Sequence, residues 1–135
     1  MKTESFRVKT GSSRAIVDIT DDVVEFVNGE GDGFVNVSLP HATAGLVLME
    51  LGSGSEEDLW DRLEFLLPRD HRYNHSHGSR GHGAAHVMPA FIAPTLTLPV
   101  IDGEVSLGTW QRIAIVDPNV DNTTRDVLLA FLPGD

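Results

Sequence analysis

The stretch Thr95-Leu96-Thr97-Leu98-Pro99-Val100-Ile101-Asp102-Gly103-Glu104-Val105-Ser106-Leu107 decides how the chain folds. Leu96 and Leu98 alternate with Thr95 and Thr97, the period of a strand with one buried face. Asp102-Gly103 is a residue pair that tolerates the positive φ angles of a tight hairpin turn. Residues 95–101 and 104–107 are therefore expected to pair antiparallel, because a two-residue turn cannot join parallel strands.

Working outward, residues 109–117 and 124–132 read as two further strands separated by a Pro/Asn/Asp turn. Upstream, strands are expected over 4–10, 15–19, 33–39 and 45–50, divided by Gly/Ser and Gly/Pro punctuation. Thr20 is read as the cap of a short helix with Asp21 and Asp22 in its first turn, ending at Asn28-Gly29. Ser55 is read as the cap of a longer amphipathic helix that carries Leu59, Trp60, Leu63, Leu66 and Leu67 and stops before Pro68. Residues 68–83 are expected to be a loop, and 84–93 a short helix interrupted by Pro89. About eight strands and two or three helices predict one α+β domain spanning residues 1–135, with a mainly antiparallel, sandwich-like sheet.

With 135 residues and 41% hydrophobic content, the chain can build a core without disulfides. No cysteine is present, so a transition-metal site would need imidazole, carboxylate or water ligands. Ten basic against twenty acidic residues give a net charge of −10, which disfavours nucleic acid and anionic membranes as partners. The apolar runs fall far short of the roughly 20 residues that cross a bilayer, and the first residues lack an apolar leader. A soluble, cytoplasmic protein is expected.

Four of the six histidines fall in Tyr73-Asn74-His75-Ser76-His77-Gly78-Ser79-Arg80-Gly81-His82-Gly83-Ala84-Ala85-His86. Imidazole is the commonest metal ligand and the usual acid/base group near neutral pH, so this loop is the centre of the functional reading. The segment is internal and varied, unlike an expression tag. By spacing alone, His82 and His86 at i and i+4 would share one helical face, and His75 and His77 one side of an extended segment. The glycines at 78, 81 and 83 do not form a nucleotide-binding loop, since no Gly-Lys-Ser/Thr follows.

Three segments in register resemble the YjbQ/UPF0047 family, also labelled secondary thiamine-phosphate synthase. They are His41-Ala42-Thr43-Ala44-Gly45-Leu46 with Glu50, Tyr73-Asn74-His75 with Ala84-Ala85-His86, and Leu107-Gly108-Thr109-Trp110-Gln111-Arg112-Ile113. Leu98-Pro99-Val100 with Gly103, and Arg125 near the last strand, also fit. This chain departs from the family pattern at Met49, where an Asn is usual, and at Gly81-His82-Gly83, where an Asn or Asp is usual.

The resemblance implies a compact β-rich fold, a homotrimer and a divalent-metal site, of the zinc kind, built on His41, His75 and His86. It implies thiamine-phosphate synthase-like transfer, in which a hydroxymethylpyrimidine diphosphate is joined to a thiazole phosphate with loss of diphosphate. The small phosphorylated substrate would meet His41, His75, His86, the metal and Arg125. Glu50 is a candidate general base or partner of His41, and Gln111 a candidate hydrogen-bonding group on the opposite strand face from Trp110. Trp110 is read as core or interface packing, and Arg80 as a cation able to close over an anion.

The trio His41, His75 and His86 is preferred over the sequence-local pairs, because Gly81 and Gly83 argue against a preformed helix at His82. His71 and His77 are then exposed or supporting. The same residues also suit a metal-dependent hydrolase of a small phosphorylated compound, a metal-free acid/base or anion site, or a non-catalytic metal- or ligand-binding trimer.

Overall fold

A computed structural model describes residues 1–119 and 121–135. The strands are β1 (Lys2–Lys9), β2 (Ala15–Asp18), β3 (Gly33–Ser38), β4 (Gly45–Met49), β5 (Thr95–Ile101), β6 (Glu104–Val105), β7 (Arg112–Asp117) and β8 (Thr124–Pro133). The helices are α1 (Thr20–Val27), α2 (Ser55–Leu66) and α3 (His82–Val87), which runs into a 3₁₀ turn over Met88–Ala90. A five-stranded sheet in the order β1-β8-β3-β5-β6 faces a three-stranded sheet in the order β2-β7-β4, and every pairing is antiparallel. The α+β class and the antiparallel, sandwich-like arrangement expected from the sequence are present. Val120, within the expected Pro/Asn/Asp turn, lies outside the described residues.

The hairpin forms as its sequence requires. Asp102 at φ 51 and Gly103 at φ 77 make the two-residue connection between β5 and β6, and the Asp102 N–H donates to Asp32 Oδ1 at 2.8 Å. Along β5 and β8 buried and exposed positions alternate, and Leu98, Val100, Val127, Leu129 and Phe131 turn inward. They meet Ile113 and Ile115 of β7 and Val23, Phe26 and Val27 of α1 in one core.

Strand β7 is the exception to alternation. Ile113, Ala114, Ile115 and Val116 are all fully buried, because the far side of the smaller sheet is covered by α2 and the 3₁₀ turn. Val116 packs there against Trp60, Met88 and Ile92. Full burial of each large aliphatic side chain contributes roughly 1.5–3 kcal/mol, so a strand buried on both faces has no use for a polar position.

Three boundaries differ from the expectation for identifiable reasons. Thr20 does not cap α1; Asp18 Oδ1 accepts from the Thr20 N–H at 2.9 Å and its hydroxyl at 2.6 Å, while the Ile113 N–H donates to Thr20 Oγ1 at 2.8 Å. Gly54, at φ 91, precedes α2 in place of Ser55, whose hydroxyl contacts the Gly52 and Glu50 carbonyls at 2.7 and 2.8 Å. Strand β7 begins at Arg112, not 109, because Gly108 and Gln111 close a turn: the Gly108 N–H donates to Gln111 Oε1 at 2.8 Å.

The two sheets are joined by a buried ion pair. Arg125 on β8 is 1% exposed and Asp117 at the end of β7 is 0% exposed. Arg125 Nε donates to Asp117 Oδ2 at 2.8 Å and Nη2 to Oδ1 at 2.9 Å, a bidentate match of planar groups. Nη2 also reaches the Thr43 carbonyl and hydroxyl at 3.2 and 3.0 Å. Burial is the largest single influence on Asp117 and raises its pKa, but the hydrogen bonds and charge of Arg125, together with Thr10 and the Asn119 N–H, hold it below the ordinary carboxylate value. Removing one partner strands a buried charge, at about 3–5 kcal/mol. Asp117→Ala is expected to cost that much in urea unfolding, whereas Arg7→Ala, which breaks the exposed 3.0 Å pair with Asp126, should cost under about 1 kcal/mol. Similar costs for the two variants would contradict the assignment.

Candidate metal centre

Residues 67–81 link α2 to α3, and the helix is where the histidines converge. His82 and His86 project from one face of α3, one turn apart, as their spacing requires. Gly81 takes φ 85 as the residue before the helix, so the glycine read as a helix breaker marks its start. Gly83 lies inside α3 because the returning loop leaves no space there: a Cβ on it would lie 2.7 Å from Tyr73 Cβ and 2.8 Å from the His75 carbonyl oxygen. The Tyr73 hydroxyl donates to the Pro68 carbonyl at 2.7 Å and closes the loop's other end. With its backbone seated on Gly83, the loop carries His75 and His77 over His82 and His86.

One nitrogen from each of His75, His77, His82 and His86 lies within 4.8 Å of the others, and these are the described residues' one such convergence of three or more His, Asp and Glu side chains. The ring centres of His75 and His77 are 4.0 Å apart, and those of His82 and His86 4.3 Å. His82 Nε2 lies 2.8 Å from His86 Nε2. On its other side His82 Nδ1 lies 2.7 Å from Asp121 Oδ2, and Asp121 Oδ1 accepts from the Ser79 hydroxyl at 2.8 Å. A carboxylate at Nδ1 selects the tautomer with its proton there and leaves the Nε2 lone pair aimed into the cluster.

Burial and the neighbouring rings discourage His75 and His86 from charging. Desolvation, then the neighbouring His77 and His82, lowers the His75 pKa below the ordinary 6.5. Desolvation, then His75, His82 and His77, lowers that of His86, with Asp121 in partial opposition. Neutral imidazole is the form that ligates metal, so the environment favours ligation. The donor set is all nitrogen, which suits zinc, copper, nickel or cobalt over calcium or magnesium.

The remaining expected residues sit elsewhere in the single chain. His41, in the loop before β4, accepts the Asp126 N–H at Nε2, 2.8 Å away, and desolvation followed by the Arg125 charge lowers its pKa. It is outside the four-histidine group. Arg125 is engaged by Asp117 and Thr43 and is buried, so within one chain its role is to join the sheets. Glu50 is exposed just past β4, and its carbonyl accepts from Ser55 Oγ. Gln111 is exposed in the 108–111 turn, and Trp110 is 71% exposed, so it does not pack in this chain's core.

His77, His82 and Asp121 are the group members the sequence reading set aside or missed. The i, i+4 spacing of His82 and His86 was the available signal. Asp121 had none, because it arrives from the loop between β7 and β8.

The fold and this loop define a small α+β domain of two antiparallel sheets with a histidine-lined connection between its second and third helices. The family model for UPF0047 protein YjbQ-like matches residues 4–134, and the chain belongs to that family. A UPF0047 protein of Mycobacterium tuberculosis is 54% identical over 134 residues, covering 99% of this chain and 100% of that one. Among solved structures, a YbjQ-like protein of unknown function from Sulfolobus solfataricus superimposes with a TM-score of 0.91 at 25% identity, covering 98% of this chain and 97% of that one. A hypothetical protein from Aeropyrum pernix does so with a TM-score of 0.88 at 31% identity, covering 99% and 100%.

The lowered histidine values carry a sign. Below pH 6.5 the unfolded chain takes up protons that folded His75 and His86 resist, so their neutral environment is compatible with full stability above that pH. Stability then falls as the pH drops through the lower folded-state values. Histidine ring titration by NMR is expected to place both residues below free histidine, and either one at or above it would contradict the packing described.

Proposed function

We propose that this protein is a divalent-metal protein whose histidine loop serves a reaction on a small phosphorylated substrate, with thiamine-phosphate synthase-like transfer as the reaction and a homotrimer as the working assembly. The observation that carries the metal reading is the convergence of four imidazole nitrogens within 4.8 Å. Support for the substrate class and the trimer comes from the family pattern carried by His41, His75, His86 and the 107–113 segment. His75, His77, His82 and His86 would hold the ion, and Asp121 would orient His82. A bound zinc-class ion supplies Lewis acidity to a phosphate or diphosphate oxygen. The chain's own groups do the rest: the loop carries His75 and His77 over α3, His75 and His86 are kept in the neutral form that ligates, and Asp121 orients the His82 ring.

A specific observation favours a second reading. Four imidazoles fill a tetrahedral zinc shell, whereas catalytic zinc usually keeps one position open. The alternative is a non-catalytic metal-binding trimer.

Zinc titration of the metal-free full chain is expected to give one site per chain. Asp121→Asn should weaken it about 10–100-fold, as loss of a histidine-orienting carboxylate does. His77→Ala and His82→Ala should weaken it further, with His41→Ala close to wild type. Loss in His41→Ala with His77→Ala unaffected would point instead to His41, His75 and His86. Formation of thiamine phosphate from its two precursors, abolished in His86→Ala, is expected for the transferase. No turnover above background alongside intact zinc binding would leave the binding role.

A further inference from the structure

In a chain of net charge −10, five of the ten Lys and Arg side chains have carboxylate partners among the described residues. Lys2 pairs with Glu30, Arg7 with Asp126, Arg72 with Asp70, Arg112 with Asp18 and Asp21, and Arg125 with Asp117. Arg14 lies over the Trp60 ring and Arg62 over Phe65. Of the five without a carboxylate oxygen within 4.0 Å among the described residues, Lys9, Arg14, Arg62, Arg69 and Arg80, Arg69 and Arg80 are the two carried by the loop that holds the histidines. Arg80 lines the loop cavity together with His75, His77 and His82. It also borders an adjoining open cleft with Arg69 and Glu64.

The Arg69 guanidinium lies close to Gly81, the residue before His82: a Cβ there would lie 2.4 Å from Nε and 3.0 Å from Nη2. The Arg80 Nε–H points to the Arg69 carbonyl at 3.4 Å, a long contact that keeps the two residues adjacent. Glu64 is the acid on this flank, one negative charge against two positive. Asp70 and Asp121, the other acids near the loop, are held by Arg72 and by Ser79 with His82 respectively. Two guanidiniums without carboxylate partners, on the loop beside the histidine cavity, present planar N–H donors of the kind that grip phosphate oxygens.

We infer that Arg69 and Arg80 form an anion-binding arm of the histidine site, which takes the phosphate or diphosphate group of the substrate. This rests on the reading of the site given under the proposed function and assigns its phosphate recognition to two residues outside the histidine set. It also places that recognition away from Arg125, whose guanidinium is buried against Asp117.

The test is calorimetric binding of inorganic pyrophosphate to the full chain, freed of metal, at fixed ionic strength. Wild type is expected to bind saturably. Arg80→Gln and Arg69→Gln should each weaken binding about tenfold, the loss of one charge-assisted contact. Arg62→Gln, an arginine on α2 set over Phe65, should stay within about twofold and controls for net charge. If Arg69→Gln does not fold by circular dichroism, the exposed Arg80 decides the matter alone.

Absence of saturable binding, an unchanged affinity in Arg80→Gln, or an equal loss in Arg62→Gln would overturn the assignment. Zinc binding, measured separately without pyrophosphate, distinguishes the two proposals. Zinc failure with arginine-dependent pyrophosphate binding removes the metal and keeps the arm. Intact zinc binding with arginine-independent pyrophosphate binding does the reverse.

Discussion

The buried contact between Asp117 and Arg125 fixes how the two sheets meet, and much of the rest follows from it. Arg125 belongs to the larger sheet and Asp117 to the smaller. A one-residue slip of β8 would turn Arg125 outward and leave Asp117 buried without its partner, so the pair specifies register as well as joining layers. Asp117 Oδ1 also accepts the Asn119 N–H at 2.8 Å, and the Asn119 side-chain amide donates to the Thr10 and Ser13 carbonyls at 2.9 and 2.6 Å. These bonds set the path by which the chain leaves β7 and brings Asp121 to His82. On the other side of Arg125, the next residue's N–H holds His41. One ion pair thus anchors both the upstream histidine and the carboxylate of the four-histidine group.

The histidine loop is built differently from the core. His75 and His77 are exposed and His82 and His86 half-buried, so little apolar burial holds the loop in place. Its position comes from close backbone approach at Gly83, from the Tyr73 hydroxyl and from the Asp121 contacts. His75 and His86 resist protonation, and His82 and His86 meet at their Nε2 atoms, 2.8 Å apart; under the proposed metal reading one ion would be shared among the four rings. Binding would therefore order the loop as well as fill the site. The flanking arginines give this acidic molecule a local surface of opposite sign, within the roughly 10 Å over which salt leaves charge effective.

The sheet was legible because its signals are local. Asp102-Gly103 with alternation on one side names a hairpin, and Val35, Val37, Leu129 and Phe131 reveal their buried face by period two. The strand expected from Thr109 begins three residues later, at Arg112, because nothing local shows the Gln111 side chain folding back to Gly108.

The site was legible only in part. Of the four converging histidines the expected trio contains His75 and His86, while by propensity Gly81 and Gly83 read as helix breakers. Average propensity counts a glycine as a loss, whereas here the bare α-carbon of Gly83 is what lets residues 73–75 lie against α3. That contact is tertiary, and with it went His77 and His82. By type and position Arg125 suits a phosphate or an acid partner; its burial beside Asp117 depends on the sheet pairing, which no window of sequence contains.

A crystal structure of the zinc-loaded full chain, with anomalous scattering measured at the zinc edge, tests the centre most directly. The geometry predicts one peak per chain among the ring nitrogens of His75, His77, His82 and His86, with Asp121 still on His82. A peak bound by His41 with His75 and His86 while His77 and His82 stand free, or the lack of any peak at the loop, would contradict it.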